Sequence, residues 1–299
     1  MTAFPGSFAF VNALLLQPDG RIVAVGGTAS DEFALARYDA DGSLDESFGS
    51  GGLVVTPVGF GGYAFAAALQ ADGRIVVVGQ VFPRLTPQGY DVDFIAARYM
   101  PDGTLDTSFG SGGIVLTDFQ LVDIAHAVAV QADQKLVIAG VSLDGSGGGT
   151  LGDFALVRLN TDGSLDASFG NSGKVLTDFP DASGSRSDIA NAVAVQANGT
   201  ILAGGTSWPQ GGSLLLGSAF ALARFTPSGT PDPAFGNDGR VTTDFGTGYA
   251  DDDATSMALT PGGQIVLGGS SGVPAFPNDG AGLCARALQR ERRRRRDLR

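Results

Sequence analysis

Residues 33–38 read Phe-Ala-Leu-Ala-Arg-Tyr, and the pattern returns as Phe-Ile-Ala-Ala-Arg-Tyr from Phe94, Phe-Ala-Leu-Val-Arg-Leu from Phe154 and Phe-Ala-Leu-Ala-Arg-Phe from Phe220. The leading phenylalanines lie 61, 60 and 66 residues apart. Downstream of each comes Gly-Ser-Leu-Asp or a close variant, from Gly42, Gly103, Gly163 and Gly229, and then Phe48, Phe109, Phe169 or Phe235 at the same three spacings. Upstream, Leu14–Gly27 (LLLQPDGRIVAVGG) is echoed by four later segments, of which the last, from Met257, opens a fifth copy. Period-two alternation separates Phe33, Leu35 and Arg37 from Ala34 and Ala36, and Gly or Pro marks every junction. Each copy therefore predicts four short strands, a to d. The a strand is rich in small residues and ends at Gln17, Gln70, Gln131, Gln196 or Thr260.

Four antiparallel strands in roughly 60 residues suit a β-propeller blade, because neighbouring blades bury sheet faces that no single copy can cover. The predicted class is all-β: four complete four-stranded blades plus a partial fifth, with a ring that is incompletely closed. The boundaries are a lead-in over 1–8, blades over 9–61, 62–121, 122–186 and 187–250, and a partial blade of strands a and b over 251–280. An Arg-rich tail occupies 281–299. Read one base out of frame, the codons from Gly282 onward can spell Asp-Phe-Ala-Leu-Ala-Arg-Tyr, so the tail is expected to be frame-shifted blade sequence. The β-edge left on blade 5 invites self-association.

These motifs resemble the delta-60 repeat β-propellers, largely uncharacterised bacterial proteins that are often large and surface-associated. The resemblance covers about residues 9–270 and implies the fold, together with an extracellular or cell-surface setting. It supplies no catalytic residues.

Composition narrows function by exclusion. The 299 residues carry 31 acids against 19 bases, one His and one Cys. Eight of those bases lie within Arg286–Arg299, so residues 1–285 hold 11 bases and 29 acids, a formal charge of −18. Such a surface repels nucleic acid. One Cys excludes a disulfide framework, and one His excludes a multi-His metal site. No apolar run reaches the ~18 residues of a membrane span, and the opening residues lack the basic region and cleavage site of a signal peptide. Phosphate-loop and nucleophile-elbow motifs are missing too.

What remains is the acidic turns, the repeated columns and the loops. Asp39, Asp41 and Asp45 form an oxygen-rich turn that offers a weak Ca²⁺ candidate, although Asp-Gly is also an ordinary turn pair; no other cofactor is expected. The Arg37, Arg98, Arg158 and Arg224 column is expected to pair with the Asp45, Asp106, Asp166 and Asp232 column. His126 shares a column with Asn12, Phe65, Asn191 and Thr255 near a channel mouth, where a ligand can be held. The b–c and d–a loops vary between copies and emerge on one face with Asp91, Asp93, Asp123, Asp181, Asp188, Asp251, Asp252 and Asp253. Tyr90, Phe179 and Trp208 lie in or beside them.

The expected ligand-binding set is Asn12, His126, Asn191, Thr255, Asp123, Asp188, Asp252, Asp253 and Trp208, facing a protein or carbohydrate. The expected function is a non-catalytic binding or adhesion scaffold, part of a larger bacterial surface or secreted protein. The alternative is a propeller enzyme of glycosidase or lyase type using acids at the channel mouth, and a weaker one is a truncated product without activity.

Overall fold

The computed structural model describes residues 4, 8–86, 89–119, 122–143, 152–180, 186–209, 217–246, 251–272 and 282–288. Every regular element among them is a strand. Blade 1 is built from Ala9–Leu16, Ile22–Thr28, Phe33–Tyr38 and Leu53–Thr56. Blade 2 uses Gly62–Leu69, Ile75–Val81, Asp93–Tyr99 and Ile114–Thr117, and its b–c loop adds a small hairpin of Leu85–Thr86 with Gly89–Tyr90. Blade 3 uses Val122–Val130, Leu136–Leu143, Gly152–Leu159 and Lys174–Thr177. Blade 4 uses Arg186–Val195, Ile201–Pro209, Ala219–Phe225 and Arg240–Thr243. In each blade the four strands pair antiparallel in chain order, as a simple meander.

Blade 5 holds Asp252–Leu259 and Ile265–Ser271, and a third strand, Gly282–Leu288, pairs along the whole second one. This corrects the expectation that the blade stops after strand b. The open edge of Ile265–Ser271 presents unpaired main-chain groups, and the next segment of the chain supplies partners for them. Its register places Leu288 opposite Ile265, as Tyr38 stands opposite Ile22. Ala287 thereby occupies the register position of Arg37 and its counterparts, and Arg286 falls one place away. The rest of the tail, residues 289–299, lies outside the described residues.

The a strands stand side by side, each touching the a strand of the next blade, so they line the axis. The apolar clusters lie between blades rather than within them. Val23, Val25, Phe33 and Leu35 of blade 1 pack on Ile75, Val77, Ile95 and Tyr99 of blade 2, whereas Val76, Val78 and Phe94 of blade 2 face Leu136, Ile138 and Val157 of blade 3. Adjacent residues of one strand therefore serve different joints. Both faces of an inner blade are buried, and such strands read as nearly continuous apolar runs. The joint of blades 3 and 4 follows the same plan, and Leu202, Phe220 and Leu222 meet Ala254, Ile265 and Leu267 of blade 5. On blade 1, Phe8, Val11, Leu14 and Leu16 stay exposed, so no blade covers that face among the described residues.

A repeated clamp closes the outer part of each joint. The Arg37 guanidinium stacks on the Phe48 ring at 4.4 Å, bonds Asp45 through Nε at 2.7 Å and donates to Pro101 O in the c–d turn of blade 2. Arg98 does the same with Phe109, Asp106 and Thr161 O, and Arg158 with Phe169, Asp166 and Pro227 O. The predicted Arg–Asp pairing is thus observed within each blade, and the same arginine reaches across to a carbonyl of the next. Its planar donors satisfy a carboxylate and a carbonyl together.

Candidate functional site

The column suspected of holding a ligand near the axis forms a belt. Asn12, Phe65, His126, Asn191 and Thr255 each sit at a β-bulge where the register of strands a and b slips by one residue. The extra residue turns its side chain toward the next blade. Asn12 Nδ2 donates to Ala64 O and Asn191 Nδ2 to Ala254 O, both at 2.8 Å. Phe65 meets the His126 ring edge-on, and His126 Nδ1 lies 3.0 Å from Asn191 Oδ1. Because the Asn191 amide nitrogen is already donating, its oxygen accepts and His126 Nδ1 carries the proton. Burial holds His126 below the usual imidazole pKa, in keeping with a neutral structural ring. Thr255 turns back to Gly268 O at 3.5 Å.

The bulge has a counterpart that the sequence reading missed. Gly26, Gly79, Gly140, Gly205 and Gly269 on the b strands face the bulges, and a Cβ at any of them would stand 1.9 Å from a main-chain oxygen. The glycine at this place in each b strand is fixed by this close approach.

Asp123, Asp188 and Asp252 open the a strands of blades 3, 4 and 5, and all three are fully buried. Each accepts through Oδ2 the main-chain N–H of the phenylalanine that follows strand d of the preceding blade: Phe119 at 2.5 Å, Phe179 at 2.8 Å and Phe245 at 2.7 Å. They tie one blade to the next and, at two joints, converge with other acids. Carboxylate oxygens of Asp93, Asp118 and Asp123 lie within 4.8 Å of one another, as do those of Asp153, Asp178 and Asp188. The two groups differ in access. Asp118 is exposed, whereas no member of the second group is.

Burial pushes the Asp93 carboxyl up to about 6, with Asp118, Asp91 and Asp123 adding to the effect. Burial likewise takes Asp188 up to about 7, aided by Asp178 and Asp153. Asp253 is raised for the same reason, with Asp251 next in importance. Trp208 lies half-buried on strand b of blade 4, its Cα paired with that of Ser187.

The Asp39, Asp41 and Asp45 turn is not gathered around one point. Asp39 bonds Arg21, Asp41 takes the Ser43 amide and hydroxyl of its own turn, and Asp45 serves Arg37 and Ser47. Among the described residues the convergent acids are those of the loop face. Asp181 and most of the longer variable loops lie outside the described residues, as does the side chain of Tyr90.

The opposite mouth holds a cavity of about 950 Å³, bordered by the a–b turns of blades 1 to 3. Gln17, Gln70 and Gln131 line it, each more than nine-tenths buried with an Oε1 that accepts no hydrogen bond. The sequence reading used these glutamines only as strand markers. Of the acids lining the cavity, Asp19 and Asp72 are paired with Arg21 and Arg74 and Asp102 takes the Thr104 amide and hydroxyl, so the loop face has the less committed carboxylates.

Comparison with known proteins adds a family and a set of folds. The model of the family described as "Domain of unknown function (DUF5122) beta-propeller" matches residues 17–48, 70–109, 131–169 and 196–235. No curated protein matches. Among solved structures, a thermostable family-43 glycoside hydrolase shares 13% identity over 93% of this chain and 88% of its own, with a TM-score of 0.46. An exo-1,5-α-L-arabinanase from a bovine ruminal metagenomic library shares 12% over 93% and 92%, with a TM-score of 0.44. An endo-arabinase from Bacteroides thetaiotaomicron shares 9% over 95% of each chain, with a TM-score of 0.39. The expectation of a non-catalytic binding or adhesion scaffold is corrected by this finding, since the structures resembled carry the names of enzymes. At these identities and TM-scores they carry no argument about this chain's chemistry, which has to be argued from its own side chains.

Proposed function

The chain belongs to the DUF5122 β-propeller family, and within that fold we propose a glycoside-cleaving enzyme that works at the variable-loop mouth with Asp93 and Asp118. One observation carries the reading. Two carboxylates with oxygens within 4.8 Å sit in opposite environments, Asp93 only 7% exposed and Asp118 open to solvent. Environments that separate two carboxyl pKa values divide the roles of acid and base. Asp93, raised to about 6, keeps a proton to give to a leaving oxygen, and exposed Asp118 is the carboxyl placed to act as its partner. Their closeness fits the retaining geometry, in which the carboxyls stand about 5 Å apart and the second acts as nucleophile. Asp91, held by Arg84 at 2.5 Å, sits beside the pair on the b–c loop.

The likeness to delta-60 repeat proteins supports a bacterial surface or extracellular setting. No described helix is long and apolar enough to cross a membrane. The exposed apolar residues of blade 1 and the edge of blade 5 offer surfaces for self-association.

The test is release of p-nitrophenol from arabinofuranoside and xyloside conjugates by the full chain. Asp93→Asn is expected to lower the rate by roughly 10²–10⁴-fold, and the wild-type rate is expected to fall as pH rises past about 6, where Asp93 loses its proton. A wild-type rate no higher than that of an Asp93→Asn, Asp118→Asn double variant would overturn the assignment.

A further inference from the structure

The cavity at the a–b mouth has no part in the reading above, yet its lining is not inert. Its charged groups are committed: Asp19 and Asp72 to Arg21 and Arg74, Asp102 to Thr104, and Arg37 to the clamp. Leu69, Pro101 and Val130 give it apolar wall. What remains is a column of carboxamides. Gln17, Gln70 and Gln131 directly follow the a strands of three successive blades, each more than nine-tenths buried with an Oε1 that has no hydrogen-bond partner. A buried acceptor left unmade is costly, and here three of them border one cavity.

The column is also asymmetric. Gln196 of blade 4 is less buried, Thr260 stands in its place in blade 5, and neither lines the cavity. The wall is braced before any ligand arrives: Gln70 Nε2 donates to Gln134 O, and Gln134 Oε1 accepts the Ala71 N–H, both at 3.2 Å. These bonds tie the turns of blades 2 and 3, and preorganisation of that kind lowers the cost of binding.

A carboxamide carries an acceptor and two donors side by side, and its soft terminal torsion can turn either toward the cavity. Its complement is a group that both accepts and donates without charge, which is a hydroxyl. A volume of about 950 Å³ lies at the upper end of small-molecule sites. We propose that this mouth binds a neutral saccharide through Gln17, Gln70 and Gln131, on the face opposite Asp93 and Asp118. The two sites share no residue, and the test reads binding alone, so either reading can fail without the other.

The experiment is titration calorimetry on the full chain with xylotriose, arabinotriose and mannotriose as probes. At least one is expected to bind wild type and the Asp93→Asn, Asp118→Asn double variant equally well. Gln17→Leu and Gln131→Leu are expected to bind it at least tenfold more weakly; Gln70 is spared because it also holds Gln134. Each leucine replaces an orphan amide by an apolar group, so without sugar both variants should melt no lower than wild type. The sugar should raise the melting temperature of wild type and leave theirs unmoved. If one leucine variant fails to fold, the other carries the test. No binding by wild type, unchanged affinity in a folded leucine variant, or loss of binding in the double variant would overturn the site.

Discussion

The joints of blades 1 to 3 with their successors and the joint of blade 4 with blade 5 use the same parts to different effect. At the first three, the clamp arginine and its aspartate are closed off: side-chain exposures are 7% and 6% for Arg37 and Asp45, against 26% and 25% for Arg224 and Asp232. Each inner aspartate has a second cation, Arg21, Arg74 or Lys135, where blade 4 has Thr200. The inner arginines also hold a carbonyl of the next blade's c–d turn. That turn packs closely, since a Cβ on Gly103 would stand 2.9 Å from the Phe48 ring. Arg224 still stacks on Phe235 at 4.4 Å, but the segment that would supply the turn in blade 5 lies beyond residue 288. A clamp is therefore a property of two blades. Its arginine, aspartate and phenylalanine are encoded in one copy, and its desolvation is provided by the next.

The largest effect expected from this difference concerns the aromatic anchors. Phe109→Ala removes a fully buried ring and should cost about 3–5 kcal/mol in equilibrium denaturation, whereas Phe235→Ala, at a half-buried ring, should cost less than half as much. Equal losses would mean that the next blade adds nothing. Arginine substitutions sharpen the comparison at smaller scale. Arg98→Ala should cost about 2 kcal/mol, below the usual loss for breaking a buried pair because Arg74 still faces Asp106 at 2.9 Å. Arg224→Ala should stay under about 1 kcal/mol, as for a more exposed pair.

A smaller and graded effect comes with acid. Asp106 is held at about 2 against the desolvation of its site by Ser108 and then Arg98, and Asp166 is depressed further by Lys135, Ser168 and Arg158. A carboxyl whose folded pKa is lowered stabilises fully above its unfolded value near 4 and loses that contribution as pH falls through the folded one. Stability should decline between about pH 4 and pH 2, and Asp106→Asn should flatten that decline. An unchanged acid limb in Asp106→Asn would remove this pair from the account.

The blade architecture and the Arg–Asp pairing were legible because they repeat. A period of about 60 residues with phenylalanine, arginine and aspartate at fixed places leaves few ways to bury the faces. The bulges were not legible, since period two carries no mark of an extra residue. The glycines opposite them signalled the close approach only in retrospect, through their recurrence at Gly26, Gly79, Gly140, Gly205 and Gly269. Asn12, His126 and Asn191 could be read as one column, but not their partners, which lie 52 to 65 residues away on another blade. The acidic pair was half visible. The loop face and its aspartates could be read from the sequence, but the meeting of Asp93 with Asp118 depends on the d–a crossover, and its asymmetry on burial that no local pattern records.

Native-state hydrogen exchange tests the central claim, that each blade is held by its successor. Amides of strands b and c in blades 2 and 3 are expected to exchange only with global unfolding, with blade 4 intermediate and blade 5 opening most readily. Uniform protection across all five blades, or protection in blade 5 equal to that of blade 2, would contradict it.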